Sequence, residues 1–519
     1  MKRKLLKLFR QDRDKREEHL SKRDRVLRKI IWYGILGVIV FSPLAGASVY
    51  EWCILVIQLA VVVMIAAYIL MKEKPGANEY LTSALKRPRF LFTVFIVFIF
   101  IQFIPLPKFL SAIFNPSTFS FQKLFSPAFP KLKFMSLSLV PSHTLREGLE
   151  LLTYFLLGFL IVKTVTHRRQ IMRLFSVLIA MGVFEAFYGL FELYNKNPRI
   201  LFYKKIYSLD SVTGTFVNRN HLSGYLEMII PLAIGLIIAR INLFSLAGMK
   251  WREKILRISE KGVSTNLLIT IGIIIMSLGI IFSKSRSGIF LLLFTFILFF
   301  GFTILYFGRV RRQQIWIKNF LRVTFLFIVF ISLYIGIGAA IERFALDRLL
   351  YDGRPLYWSN VSTIVGDFPL FGTGLGTFAA VYPAYEKTTD LSPGKLSHAH
   401  NDYLEYFSEL GLVGGILLFG GIIWMLANSF LIWRERRHPE VKGLALGGMI
   451  AIINIGIHSL TDFNLHIPAN MVLFTVVLSM TIVTAFYKRR SPEAIEESRI
   501  KSKERERREL REEGNLEEV

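Results

Sequence analysis

The run from Ser397 to Gly415, SHAHNDYLEYFSELGLVGG, places His400 and Asn401 at the mouth of an apolar helix. Histidine is the side chain best suited to exchange protons near neutral pH. A polar cluster at a membrane boundary marks a site, because ionisable groups there are costly. His400 is therefore the candidate to take a proton from, or to position, an acceptor hydroxyl. Its neighbour His398 is the rival, and Asn401 is a supporting group. Two histidines and Asp402 also suggest a metal. The HAH spacing is not the i, i+4 spacing of a helical ligand pair, however, and no third ligand is evident. The expectation is no metal and no cofactor. Glu405 and Glu409 follow at helical spacing and could orient an imidazole from below.

Cationic side chains make up a second set. In FSKSRSG, Phe282 to Gly288, the charges of Lys284 and Arg286 lie in a loop that topology would leave uncharged. Arginine's planar fork matches phosphate oxygens two at a time. The flanking serines and Gly288 would leave backbone amides free near the start of the next helix, a place that suits an anion. The competing reading is a snorkelling interfacial pair. GTFVNRNHLSGYLE, Gly214 to Glu227, brings Asn218, Arg219, Asn220 and His221 to one helix mouth, as a polar site or as a helix cap. Deeper in the apolar segments, Glu185 and Glu227 should face the interior, paired or protonated.

A long connection beginning near 341 carries Arg343, Arg348 and Arg354, then the aromatics Tyr357 and Trp358. Its segment GDFPLFGTGLGTF resembles a dinucleotide fingerprint only superficially, because no strand–helix–strand unit surrounds it. A tight turn packing backbone-close on the helices is expected there. In HSLTDFNLHIPAN, His458 to Asn470, the spacing of His458 and Asp462 puts both on one helical face at the outer surface, in a supporting role.

The elements that hold these residues follow from hydropathy. The 519 residues are 53% hydrophobic, including 46 phenylalanines. Apolar stretches of roughly 18–22 residues recur about twelve times, each able to cross about 30 Å of hydrocarbon. The fold class is all-α: a polytopic membrane protein with one long loop, 341–402, between the ninth and tenth spans. The net charge of +26 would suggest nucleic acid in a soluble chain. Here Lys and Arg crowd every second connection, as the positive-inside rule requires, so nucleic acid is not expected as a partner. Both termini are expected to be cytoplasmic, and the candidate residues to face the opposite side. Cytosolic nucleotide donors cannot reach such a site, so its donor must arrive activated on a lipid. The organisation read this way is a basic tail (1–29), N-terminal spans (30–209), a catalytic region (210–470), a last span (471–488) and a charged tail (489–519). The lone cysteine, Cys53, lies in a span, so no disulfide framework exists.

Together the motifs resemble the O-antigen ligase and polymerase superfamily of bacterial membrane glycosyltransferases. His400 and Asn401, then Gly411 and Gly414, match that family's signature, and SKSRSG, NRN, the Arg354 loop and HSLTDFNL fall in its order over about residues 210–470. The resemblance implies a multi-pass protein of the bacterial inner membrane with a periplasmic active site. It implies inverting, metal-independent transfer of a glycan from undecaprenyl diphosphate to an acceptor hydroxyl. His400 would then be catalytic. Arg286, Arg354, Lys284 and Arg219 would bind the diphosphate. Asn401, Asn218, Asn220, His398, Glu409, His458 and Asp462 would support them. The partners implied are the lipid-linked donor, membrane lipid, and an acceptor that is a glycolipid, a growing glycan or a protein. Ligase, polymerase and protein oligosaccharyltransferase share these motifs. A secondary transporter would show inverted repeats and broken helices around a midplane site instead. A non-enzymatic scaffold would use the long loop without chemistry.

Overall fold

The computed structural model describes residues 21–75, 86–124, 133–195, 198–240, 261–306, 311–335, 338, 342, 353–387, 396–436 and 438–487. Arg343, Arg348, the basic segment 250–260 and the tail from 489 lie outside the described residues. The bundle is one unit up to Ala485, and residues from Phe486 belong to a second.

Among the described residues there are sixteen α-helices. In chain order they are α1 (Lys22–Leu44), α2 (Glu51–Leu70), α3 (Lys86–Phe103), α4 (Lys108–Phe114), α5 (Pro116–Leu124), α6 (Pro141–Thr164), α7 (Arg168–Leu193), α8 (Arg219–Arg240), α9 (Lys261–Ser283), α10 (Arg286–Tyr306), α11 (Arg311–Ile335), α12 (Arg354–Asp367), α13 (Phe378–Val381), α14 (Asp402–Glu435), α15 (Pro439–His458) and α16 (Pro468–Phe486). The only strands described are two short antiparallel ribbons, Leu106–Pro107 with Phe134–Met135 and Arg199–Ile200 with Tyr203–Lys204. Ten helices are long and apolar enough to cross a membrane. Two others, α3 and α6, have spanning length but open with charged turns, KRPR in α3 and Arg146 to Glu150 in α6. These twelve helices account for the stretches visible in the hydropathy. The outer face of α2 exposes Trp52, Leu55, Leu59 and Val62, side chains suited to lipid rather than water.

The bundle is centred on α8, which is buried from His221 to Ile238. It packs along α15, with α7, α9 and α10 around it. A Cβ at Gly443 would meet the Gly235 carbonyl oxygen at 2.4 Å, and one at Gly447 the Pro231 carbonyl oxygen at 2.5 Å. Small residues thus let the two backbones touch, which is how helices gain packing energy in lipid. The contact fixes the start of α8 beside the turn that follows α15.

The long connection is folded. Val361, Ile364, Phe368, Phe378, Val381, Tyr382 and Ala399 form a small apolar core between α12, α13 and the histidine loop. The glycine-rich segment does pack backbone-close. Gly411 interrupts α14 with φ 61° and ψ −170°, and the loop fills the break: Thr373 and Gly374 amides donate to the Ser408 and Glu409 carbonyls, and Leu412 and Val413 amides to Pro369 and Leu370. A side chain at Gly372 or Gly411 would strike the opposite backbone at 2.3–2.4 Å. Gly411 therefore serves a backbone break, whereas Gly414 packs close against Phe98.

Candidate functional site

Asp462 is the hub of the site. It lies in the turn between α15 and α16 with its side chain 1% exposed. Its Oδ1 is 3.2 Å from His400 Nδ1, and its Oδ2 accepts from Asn220 Nδ2 at 2.7 Å. Arg354 Nη2 stands 3.7 Å from Oδ2, and His221 Nε2 stands 3.9 Å from Oδ1. Four elements thus converge on one carboxylate: the start of α8, the start of α12, the loop before α14 and the turn after α15. Burial alone would raise the Asp462 carboxyl's pKa. His400, His221 and Arg354 together hold it well below the usual carboxylate range.

His400 is held at φ 50°, left-handed backbone that a histidine adopts at a cost. The flanking contacts enforce it. Trp358 Nε1 donates to the Ala399 carbonyl at 3.1 Å, Asn401 caps α14 by accepting from the Leu404 amide, and the Asp402 amide donates to Ser459 O at 2.9 Å. With Nδ1 on Asp462, Nε2 points away from the carboxylate, and the side chain remains 28% exposed. An oriented, half-open imidazole can accept a proton from a hydroxyl placed against Nε2.

A second histidine network adjoins the first. His398 Nδ1 is 2.8 Å from Glu405 Oε1, whose other oxygen accepts the Ala399 amide. His466 Nδ1 is 2.6 Å from Asp402 Oδ1, and His466 Nε2 is 3.4 Å from Glu405 Oε1. Burial pulls the His466 value down, but the Glu405 and Asp402 carboxylates lift it to about 10. Phe463 separates the networks, with its ring stacked on His398 at 4.3 Å and edge-on to His400 and His221.

The structure brings His400, Arg354, Asn220 and Asp462 together as a site. Asn218 is the cap of α8, accepting from the Asn220 amide, while the Asn220 side chain donates to Asp462. Arg219 acts electrostatically on Asp210. Lys284, at φ 58°, is placed in an ion pair with Asp210 at 2.8 Å. The serines of SKSRSG occupy amides expected to be open, since Ser285 Oγ accepts from Gly288 N and Ser283 Oγ from Ser285 N. Arg286 opens α10, and the adjacent Ser287 hydroxyl is 2.8 Å from that of Thr461, beside Asp462.

Two expectations are corrected. His458 and Asp462 do not share a helical face at the surface. The helix ends at His458, which turns inward onto Glu227 at 2.9 Å, while Asp462 turns to His400, and both are 1% exposed. Glu409 does not hydrogen-bond an imidazole, because its Oε1 accepts the Phe378 amide; Glu405 takes that role. Glu185 and Glu227 face the interior and are paired, with Thr215 and His458 respectively. His466 and Phe463 were missed. They lie inside the quoted HSLTDFNLHIPAN segment, but nothing in their spacing relates them to residues more than sixty positions earlier.

Among curated proteins none matches the chain. The match to a known family begins within α9 and ends within α14, taking in Arg286, Arg354, His398 and His400 but stopping short of Asp462. Over these residues, 271–419, the chain matches the model of the O-antigen ligase family.

Proposed function

We propose that this protein transfers a glycan from an undecaprenyl diphosphate carrier to an acceptor hydroxyl, with inversion at the anomeric carbon. The family implies a lipid-linked glycan and an acceptor. The observation that carries the mechanism is the Asp462 carboxylate shared by His400 and Arg354. Asp462 holds the imidazole with Nε2 outward, to take the acceptor's proton as the hydroxyl oxygen attacks the anomeric carbon. The bond from that carbon to the diphosphate oxygen breaks, and its electron pair leaves with the diphosphate. Arg354, held beside the same carboxylate, and Arg286, one residue from the Ser287–Thr461 contact, supply the opposing charge. A single displacement inverts the centre. No step calls for a metal or a nucleotide. The alternation of basic connections supports a site on the face opposite the cytoplasm, with both termini cytoplasmic, and in this reading that face is the periplasmic side of the bacterial inner membrane.

Purified protein in detergent, given lipid-linked oligosaccharide and an acceptor glycolipid, tests the reading. Free undecaprenyl diphosphate and glycosylated acceptor should form together in the wild type. Unchanged transfer after replacing both Arg286 and Arg354 by Ala would sink the diphosphate assignment. Sidedness is tested in a Cys53→Ser background. A cysteine at Lys387 should react with an impermeant thiol reagent in outer-permeabilised cells, and one at Arg436 should not.

A further inference from the structure

We infer that His398, Glu405 and His466 bind a divalent transition-metal ion that locks the His400 loop in place. The donor atoms of the three residues lie within 4.8 Å of one another. Glu405 Oε1 is 2.8 Å from His398 Nδ1 and 3.4 Å from His466 Nε2. Donors on a tetrahedral ion with bonds of about 2.0–2.1 Å stand roughly 3.3–3.4 Å apart. Binding would require the three donor atoms to adjust to that spacing.

Two further observations point to a cation. The first is the orientation of His466. Its Nδ1 faces Asp402 Oδ1 at 2.6 Å, which turns Nε2 towards the triad, and that atom is buried without a hydrogen-bond partner. A carboxylate behind the far nitrogen is the arrangement that fixes the ligating tautomer of metal-bound histidines. The second is that four carboxyl groups, Asp402, Glu405, Glu409 and Glu150, are buried around the triad, and Glu150 and Glu409 lie within electrostatic reach of His466.

Two imidazoles and one carboxylate favour zinc or a similar borderline ion over magnesium or calcium, which prefer oxygen ligands. His398, 29% exposed, lies on the open side, where water would complete the coordination. The three ligands come from the histidine loop, the first turn of α14 and the turn before α16. The ion would tie these segments together two residues from His400 and four from Asp462. Its role is positioning, and transfer chemistry stays with His400.

The test uses the full-length chain in detergent with its affinity tag removed, stripped with chelator and dialysed against Zn2+. The wild type should take up about one zinc per chain and gain thermal stability in proportion to occupancy. His398→Ala, at the open edge of the site, should lose that zinc and its thermal shift. Asp402→Asn should bind about 10–100-fold more weakly. His400→Ala should keep wild-type uptake, which separates this site from the catalytic one. Absence of zinc uptake by the stripped wild type, with the His466 imidazolium alone bridging Glu405 and Asp402, would overturn the inference. Equal uptake by His398→Ala and wild type would do the same.

Discussion

Two histidine–carboxylate pairs, His400–Asp462 and His458–Glu227, sit in the same part of the fold with almost the same contact distance, 3.2 and 2.9 Å. Their surroundings differ. His458 and Glu227 are sealed, at 1% and 0% side-chain exposure, and the pair neutralises itself inside the bundle. His400 is partly open, strained at φ 50°, and shares its carboxylate with an arginine. A histidine beside a carboxylate is therefore no catalytic signature by itself. An outlet for the second nitrogen, a neighbouring cation and an enforced backbone distinguish the pair proposed to act in transfer from the sealed one.

Mutating each histidine should separate the pairs most sharply. His400→Ala should lower transfer by about 10²–10⁴-fold, the range of a lost general base, while folded protein still reaches the membrane. His458→Ala should act on stability instead. It leaves Glu227 buried without its partner, a loss of about 3–5 kcal/mol that shows as a lower unfolding temperature and lower yield. If His458→Ala folds as well as wild type yet cannot transfer, the division of roles is wrong.

Asp462→Asn should rank next. The amide still accepts from Asn220 but no longer stabilises an imidazolium or holds Arg354, so kcat should fall by at least about 10²-fold. The pH dependence carries a definite sign. A carboxyl held below its ordinary value near 3.9 contributes stability that is fully present above that value and is lost as pH falls through the folded-state value. The carboxyl's own share of the difference in unfolding temperature between wild type and Asp462→Asn should thus persist down to about pH 5 and shrink in more acidic solution. A difference that grows as pH falls from about 5 to 3 would mean that Asp462 is not held ionised by its partners.

The unequal legibility of the two pairs has a physical origin. Hydropathy reveals spans because each must be apolar over its whole length, and the twelve stretches emerge as twelve long helices. His400 and Arg354 stand out because charged or ionisable groups are expensive at a membrane boundary. That logic marks polar residues without saying which way they turn. Four-residue spacing linked His458 to Asp462, but the helix ends between them, and the two side chains diverge. Contacts such as Asn220 to Asp462, 242 positions apart, are set by the close packing of α8 on α15, which no local pattern reports. Gly411 was visible as a motif glycine. Its left-handed break became intelligible only with the loop that fills it.

Arg354→Lys sharpens the comparison at intermediate scale. It keeps a positive charge near Asp462 but loses the planar fork, so it should recover only part of the activity that Arg354→Ala loses. Equal activity of the Lys variant and wild type would assign Arg354 to charge balance around Asp462 alone.

The smallest expected effect concerns how the strained conformation of His400 is maintained. The Trp358 indole donates to the Ala399 carbonyl at 3.1 Å, across 41 residues, from a helix whose inner face belongs to the small apolar core of the long connection. Trp358→Phe keeps an aromatic ring there but deletes the donor, and one neutral hydrogen bond contributes about 1 kcal/mol. Shared between folding and local order, that loss should lower the unfolding temperature slightly and reduce transfer by about three- to fivefold. The fall should be in kcat rather than KM, because the His400 loop would sample conformations with Nδ1 off Asp462 while the proposed diphosphate contacts of the arginines stay unchanged. The sealed pair predicts the contrast. His458 is fixed by burial on all sides, so Trp358→Phe should leave the Glu227–His458 contact untouched, as read from the imidazole's NMR resonances. A KM effect without a kcat effect would place Trp358 on the substrate, and the strain at His400 would then need another explanation.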